Sequence, residues 1–210
     1  MKTVEWYFDF ISPFAYLQSR RLDDFTENAL VRCKPILFAG LLNHWGQKGP
    51  AEIADKRVWT FEQVSWLAHK HGVPLKLPPA HPFVPLRLLR LAVLLDAPVD
   101  VVQRLFDFVW KEGKSPTDDD SFEQLLDEYN VAAEELNTSE VKNKLRENTE
   151  QAIKCGIFGV PTCVVGEQKF WGYDATDMVH AALADDPFYQ SSQWQAARTM
   201  PDGVHRKEVS

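Results

Sequence analysis

Ser12 is the first residue whose setting suggests chemistry. An aromatic-rich run, "WYFDFISPFAYL" (6–17), passes through Ser12-Pro13 into a helical pattern. Serine is a favoured N-cap and proline a favoured first helical residue, so the junction reads as a helix start. The same position would hold a catalytic hydroxyl at the positive end of a helix. The local sequence does not choose between the two. Further along, His44, Trp45 and His81 sit in Gly/Pro-rich stretches, where function concentrates. Pro161 follows Val160 in "GVPT", and Asp174 stands where a closing helix needs its N-cap. Lys48 and Lys56 read as solvated surface charges. Cys33, Cys155 and Cys163 are odd in number and form no C-x-x-C. They read as buried thiols in a reducing compartment rather than a disulfide framework or a zinc site, and no metal is expected.

The elements that must position these groups follow from periodicity. Residues 3–9 alternate as a strand, residues 14–28 carry Phe14, Leu17, Leu22 and Phe25 at helical spacing, and 31–38 read as a second strand. Strand, helix and strand within this span form a βαβ unit with a right-handed connection. Residues 39–55, rich in Gly, Pro, Asn and Gln, read as a structured loop. From about 56 the pattern turns helical. "KRVWTFEQVSWLAHKHG" stops at Gly72, and further helical segments continue to Gly156. Asp118, Asp119 and Asp120 suit the start of one of them. Strands return at 162–165 and 168–171, flanking the hairpin signal Gly166-Glu167. The tail from 186 has few periodic features.

This order, βαβ then helices then ββα, gives one mixed sheet with an inserted helical block: an α/β, thioredoxin-like layout. The expected division is 1–55 with 148–185 as the thioredoxin-like part, 56–147 as the helical insertion, and 186–210 as a C-terminal tail. The 210 residues, 45% hydrophobic and 25% charged, suit a soluble globular chain. A net charge of −7 argues against nucleic-acid binding. No apolar run approaches the ~20 residues of a membrane span, and Glu5 and Asp9 interrupt any signal core. The expected location is cytoplasmic.

"YFDFISPFAY", "NHWGQKGPAEI", "PPAHPFVPLRLLRLA", "GVPT" and "FWGYD" occur in an order that resembles the DsbA-like family of 2-hydroxychromene-2-carboxylate isomerases and kappa-class glutathione transferases. The resemblance covers about residues 3–184. It implies a DsbA-like thioredoxin fold with an all-helical insertion, a homodimer, a small-molecule substrate and glutathione as the bound thiol. Ser12 would take the place of the redox cysteine. Pro161 would be the cis-proline facing it, and the Val160 backbone would pair with the cysteinyl part of glutathione. Tyr173 and Asp174 would hold the γ-glutamyl end. Gln47 and Lys56 match a pair spaced nine residues apart in the kappa-type pattern.

The chemistry fits those implied roles. A free thiol has a pKa of about 8.5, and the thiolate is the nucleophile. A hydroxyl donor and a helix N-terminus both favour the anion. Serine in place of cysteine removes the route to a mixed disulfide. In an isomerase the thiolate adds to a conjugated carbon, permits rotation or ring opening, and is then expelled. In a transferase it stays on the product.

The chain departs from the family pattern at several positions. Val84 stands where asparagine is common, Gln47 replaces asparagine, and Ala175 follows Asp174 where arginine is usual. Trp59 and Gln63 stand where relatives have tyrosine and aspartate. The glutathione site reads as partly kept and the second-substrate site as altered. The expected activity is a glutathione-dependent isomerase of an unsaturated aromatic carboxylate. The alternatives are a kappa-like transferase or peroxidase, a thiol-disulfide oxidoreductase, and a non-catalytic thiol-binding module.

Overall fold

A computed structural model describes residues 1–27 and 29–203. The chain opens with β1 (Lys2–Phe8), α1 (Pro13–Ser19), the single turn α2 (Asp23–Thr26) and β2 (Ala29–Pro35). Helices α3 (Phe38–Trp45), α4 (Ala54–His71), α5 (Leu86–Leu94), α6 (Val99–Trp110) and α7 (Asp119–Asp127) follow. Then come α8 (Ser139–Lys154), the hairpin β3 (Thr162–Val165) and β4 (Gln168–Trp171), α9 (Thr176–Leu183) and α10 (Ser192–Arg198). The sheet order is β2-β1-β3-β4. β1 and β2 are parallel, and β3 runs antiparallel to both β1 and β4.

β1 builds two cores because alternate side chains leave opposite faces of a strand. Val4, Trp6 and Phe8 face the larger core, where the Trp6 and Phe8 rings stack at 4.5 Å and Phe106 of α6 lies 5.6 Å from Phe8. Tyr7 faces the other side, packed with Ile36, Leu41, Ala152 and Ile157 under α3 and α8. Both faces of the sheet are thus covered, and β1 is buried between them.

Several elements differ from their sequence-based reading. Phe38, read as the end of a strand, and residues 39–45, read as loop, form α3: Leu41 is buried and Phe38 packs beside it against the sheet. That burial outweighs the local glycine and asparagine. The stretch ends at Gly46, in the left-handed region at φ 62°. The second strand accordingly starts and ends earlier than expected, at Ala29 and Pro35. The single helix expected over 14–28 is two: α1 stops at Ser19, whose hydroxyl donates back to the Tyr16 carbonyl at 2.7 Å. Leu22 and Phe25 are still buried, carried by the turn α2. The tail holds a 3-10 turn at Pro187–Gln190 and α10, with Trp194 and Tyr189 rings 4.9 Å apart. Its last residues, 204–210, lie outside the described residues. Gly72 and Gly156 do terminate α4 and α8 at positive φ, and both strands of the hairpin keep their expected bounds.

Candidate active site

Ser12 caps α1. Its backbone is extended (φ −88°, ψ 114°) and its Oγ accepts the Ala15 N–H at 3.2 Å, with Pro13 in the first helical position. Because that bond uses an oxygen lone pair, the hydroxyl proton stays available to donate elsewhere. The residue is 8% exposed, so a group bound there meets it with little competing water.

The turn leading into Ser12 is held on every side. The Ser12 N–H donates to the Asp9 carbonyl at 3.0 Å. The Phe10 carbonyl accepts from Trp110 Nε1 at 2.9 Å, and the Ile11 carbonyl from His81 Nε2 at 2.9 Å. Asp9 Oδ1 takes the Ile11 N–H at 3.1 Å, and Oδ2 takes the Phe38 N–H at 2.9 Å. Asp9 therefore ties the Ser12 turn to the start of α3. Trp110 and His81, from the helical segments, tie it to the far side of the fold.

A carbonyl can only accept, so His81 donates through Nε2 and keeps Nδ1 unprotonated. Burial lowers its pKa and the Arg57 charge lowers it further, against the bond to Ile11. Asp9 behaves in the opposite sense. Burial pushes its carboxyl up to about 7, against the N–H groups of Phe38, Ile11 and Phe10, which favour the anion.

Pro161 follows Val160 through a cis peptide bond and precedes Thr162, which pairs with Tyr7 of β1. The register puts Pro161 beside the C-terminal end of β1, the end from which the chain turns to Ser12. The Pro161 carbonyl accepts the Gly172 N–H at 2.9 Å. Gln18, fully buried on α1, ties these pieces together. Its Oε1 accepts Trp6 Nε1 at 2.8 Å, and its Nε2 donates to the Gly172 carbonyl at 3.2 Å and Thr176 Oγ1 at 3.0 Å. Helix α1, the cis-proline turn and the residues just before Tyr173 thus form one hydrogen-bonded unit.

Tyr173 and Asp174 stand next to this unit in a 3-10 turn, Tyr173–Ala175. Asp174 is not the cap expected of it: α9 starts at Thr176, with Ala175 preceding it and no side-chain cap. The extra turn comes from Gly172, whose φ of 98° redirects the chain and sets Asp174 Oδ1 where a side-chain Cβ would otherwise stand. Desolvation raises the Tyr173 pKa, opposed by Arg21. Its ring lies 6.1 Å from His71 at the end of α4.

Gln47 and Lys56 are exposed residues, one just past α3 and the other in the first turn of α4. Among the described residues neither side chain hydrogen-bonds to the Ser12 turn. Val84 is exposed, as is Trp59. Between α4 and the proline-rich segment is a cavity of about 380 Å³, walled by Arg57, Phe61, Pro78, Pro79 and His81. Through His81 it borders the Ser12 turn. The sequence reading missed Asp9, Gln18, Trp110 and Arg57. The first two did carry a signal, a carboxylate inside an aromatic strand end and an amide inside an apolar helix face.

Residues 3–184 match the DSBA-like thioredoxin domain family. The chain is 28% identical over 194 residues to 2-hydroxychromene-2-carboxylate isomerase of Sphingobium xenophagum, covering 88% of this chain and 99% of that protein. It is 30% identical over 211 residues to glutathione S-transferase kappa 2 of Caenorhabditis elegans, covering 89% and 93%. Among solved structures, a 2-hydroxychromene-2-carboxylate isomerase superposes with a TM-score of 0.78 at 23% identity, over 91% of this chain and 98% of that one. A putative protein disulfide isomerase from Nitrosomonas europaea gives 0.61 at 14% identity, over 91% and 99%. A mixed sheet with a helical insertion, a cis-proline turn beside the first helix, and a match along nearly the whole chain lead to one conclusion: this chain belongs to the DSBA-like thioredoxin domain family.

Proposed function

We propose that the protein is a glutathione-dependent isomerase of an unsaturated aromatic carboxylate, with Ser12 donating its hydroxyl proton to the glutathione thiolate. One observation carries this reading: the Ser12 oxygen is occupied as an acceptor by Ala15 while its proton has no acceptor among the described residues, in a turn whose carbonyls are already bonded. The hydroxyl matters more than the helix here. α1 has only seven residues, so its macrodipole is small.

In this reading residues 1–55 and 148–185 supply the thiol site and 56–147 roof it. The Val160 backbone meets the cysteinyl part of glutathione beside Pro161, Tyr173 and Asp174 meet its γ-glutamyl end, and Gln47 and Lys56 close the opposite edge. The cavity beside the Ser12 turn takes the second substrate. Phe61 and the prolines offer flat apolar walls, and Arg57 offers a positive charge for a carboxylate. The thiolate adds to a conjugated carbon, the weakened double bond rotates, and expulsion of the thiolate restores conjugation. Glutathione is regenerated.

Kinship with a kappa transferase favours a second reading, in which the sulfur stays on the product. Both require the thiolate. A charge-assisted hydrogen bond is worth about 1.5–3 kcal/mol, so Ser12→Ala is expected to raise the bound thiol pKa by about one unit or more. Ultraviolet absorbance of the thiolate during a pH titration of the complex reads this shift directly. An unchanged pKa in Ser12→Ala would sink the reading. Turnover with glutathione recovered unchanged selects the isomerase; a glutathione adduct selects the transferase.

A further inference from the structure

A second cavity, of about 290 Å³, opens where α3, α5 and α8 converge. Its floor is apolar: Leu37 and Gly40 from α3 and the residue before it, Leu86 from α5, and Leu145 from α8. Its rim is cationic. Arg90, Lys142 and Arg146 line it against the single carboxylate of Glu150. That balance is unusual in a chain of net charge −7.

The rim cations are not used up by the fold. Arg90 Nη1 donates to Asn137 Oδ1 at 2.9 Å, but its Nε is buried with no partner among the described residues. Arg146 approaches Glu150 only at 3.8 Å, between two exposed side chains. Lys142 makes no ion pair among the described residues. A guanidinium nitrogen buried without an acceptor is costly, and a carboxylate bound to the other nitrogens of the same guanidinium offsets that cost. The volume lies near the lower end of the ~300–1,000 Å³ typical of small-molecule sites, room for one ring or a short chain. Gly40 lets α3 approach α8 closely at the floor. A Cβ there would meet Thr149 Cγ2 at 3.0 Å.

We propose that this cavity binds a small amphipathic carboxylate, its apolar body against Leu37, Leu86 and Leu145 and its carboxylate against Arg90 and Lys142. The site is separate from Ser12 and does not depend on the function proposed above.

Calorimetry with octanoate, using 1-octanol as the uncharged counterpart, tests the proposal on the whole chain. Octanoate is expected to bind, with octanol about tenfold weaker or more for want of the charge. Amide NMR should show shifts at Leu37 and Gly40. Lys142→Met, at an exposed position, is expected to weaken octanoate several-fold without altering the fold, and Arg90→Met to weaken it further. Ser12→Ala and Arg57→Met should leave it unchanged. The proposal is overturned by no heat at millimolar octanoate, by equal affinity for octanol, or by loss of binding in Arg57→Met, which would place the ligand in the other cavity. Octanoate binding that vanishes as the chain self-associates would assign the face to a second copy and overturn it equally.

Discussion

Replacing Asp9 by asparagine should change how stability depends on pH, because the carboxyl is 1% exposed and titrates well above its usual range. No positive side chain is among the groups that shift it; burial raises its pKa from 3.8 to about 7 against backbone N–H groups alone. The folded chain therefore holds this proton where the unfolded chain has lost it. By linkage, stability from this group is fully present below about pH 4 and is lost as pH rises through about 7. One pH unit is worth about 1.4 kcal/mol, so the roughly three-unit interval corresponds to about 4 kcal/mol. In Asp9→Asn that slope disappears. Asparagine offers one acceptor where Ile11 and Phe38 need two, so near pH 4 the variant is expected to be weaker by about 1–3 kcal/mol. Urea unfolding of both proteins at intervals from pH 4 to 8 measures the difference. The wild-type advantage should shrink steadily and reverse between about pH 5 and 6. Parallel profiles, or a wild type that gains on the variant as pH rises, would refute the reasoning. The first result would mean that the N–H groups of Ile11 and Phe38 balance burial, and the second that they outweigh it and hold an anion.

Three other substitutions probe the same neighbourhood. Gln18→Leu leaves buried Trp6 Nε1 and the Gly172 carbonyl without their partner, and should cost about 1–3 kcal/mol for each group left unpaired, measured by urea unfolding. Gly172→Ala forces an L side chain to φ 98°, ψ 161° against the Asp174 carboxylate, and should lower stability by about 1–3 kcal/mol in thermal melts. Trp110→Phe keeps the ring in the core but removes the bond to the Phe10 carbonyl. It should cost about 1–3 kcal/mol of stability and, on the reading proposed above, lower turnover more than glutathione affinity, as steady-state kinetics would show.

The hairpin and α4 were legible because their signals are local. Gly166, Gly72 and Gly156 each occupy a positive-φ position that the chain requires just where the hydrophobic period breaks. Ser12 as a cap was legible for the same reason, since Ser-Pro sets the start of a helix through its own backbone. α3 was not legible: its glycine and asparagine describe a loop, and only the sheet beneath Leu41 makes a helix the better solution. Asp174 was misjudged as a cap because Gly172 inserts a 3-10 turn whose geometry depends on bonds to Pro161 and Gln18. The role of Asp9 was equally hidden. A carboxylate at a strand end reads as polar punctuation until a second element, here Phe38, arrives to donate to it.

Sequence by itself determined the strand–helix–strand opening, the helical middle, the closing hairpin and the presence of a hydroxyl where the first helix begins. These follow from periodicity and from residues that fix their own backbone. Tertiary structure alone decided which groups surround that hydroxyl. Trp110 and His81 lie about a hundred and about seventy residues from the carbonyls they satisfy, and Arg57 meets His81 across a cavity. Hydrogen bonds and burial between such distant residues leave no periodic trace in the chain, because each exists only once the helices have packed around the end of β1.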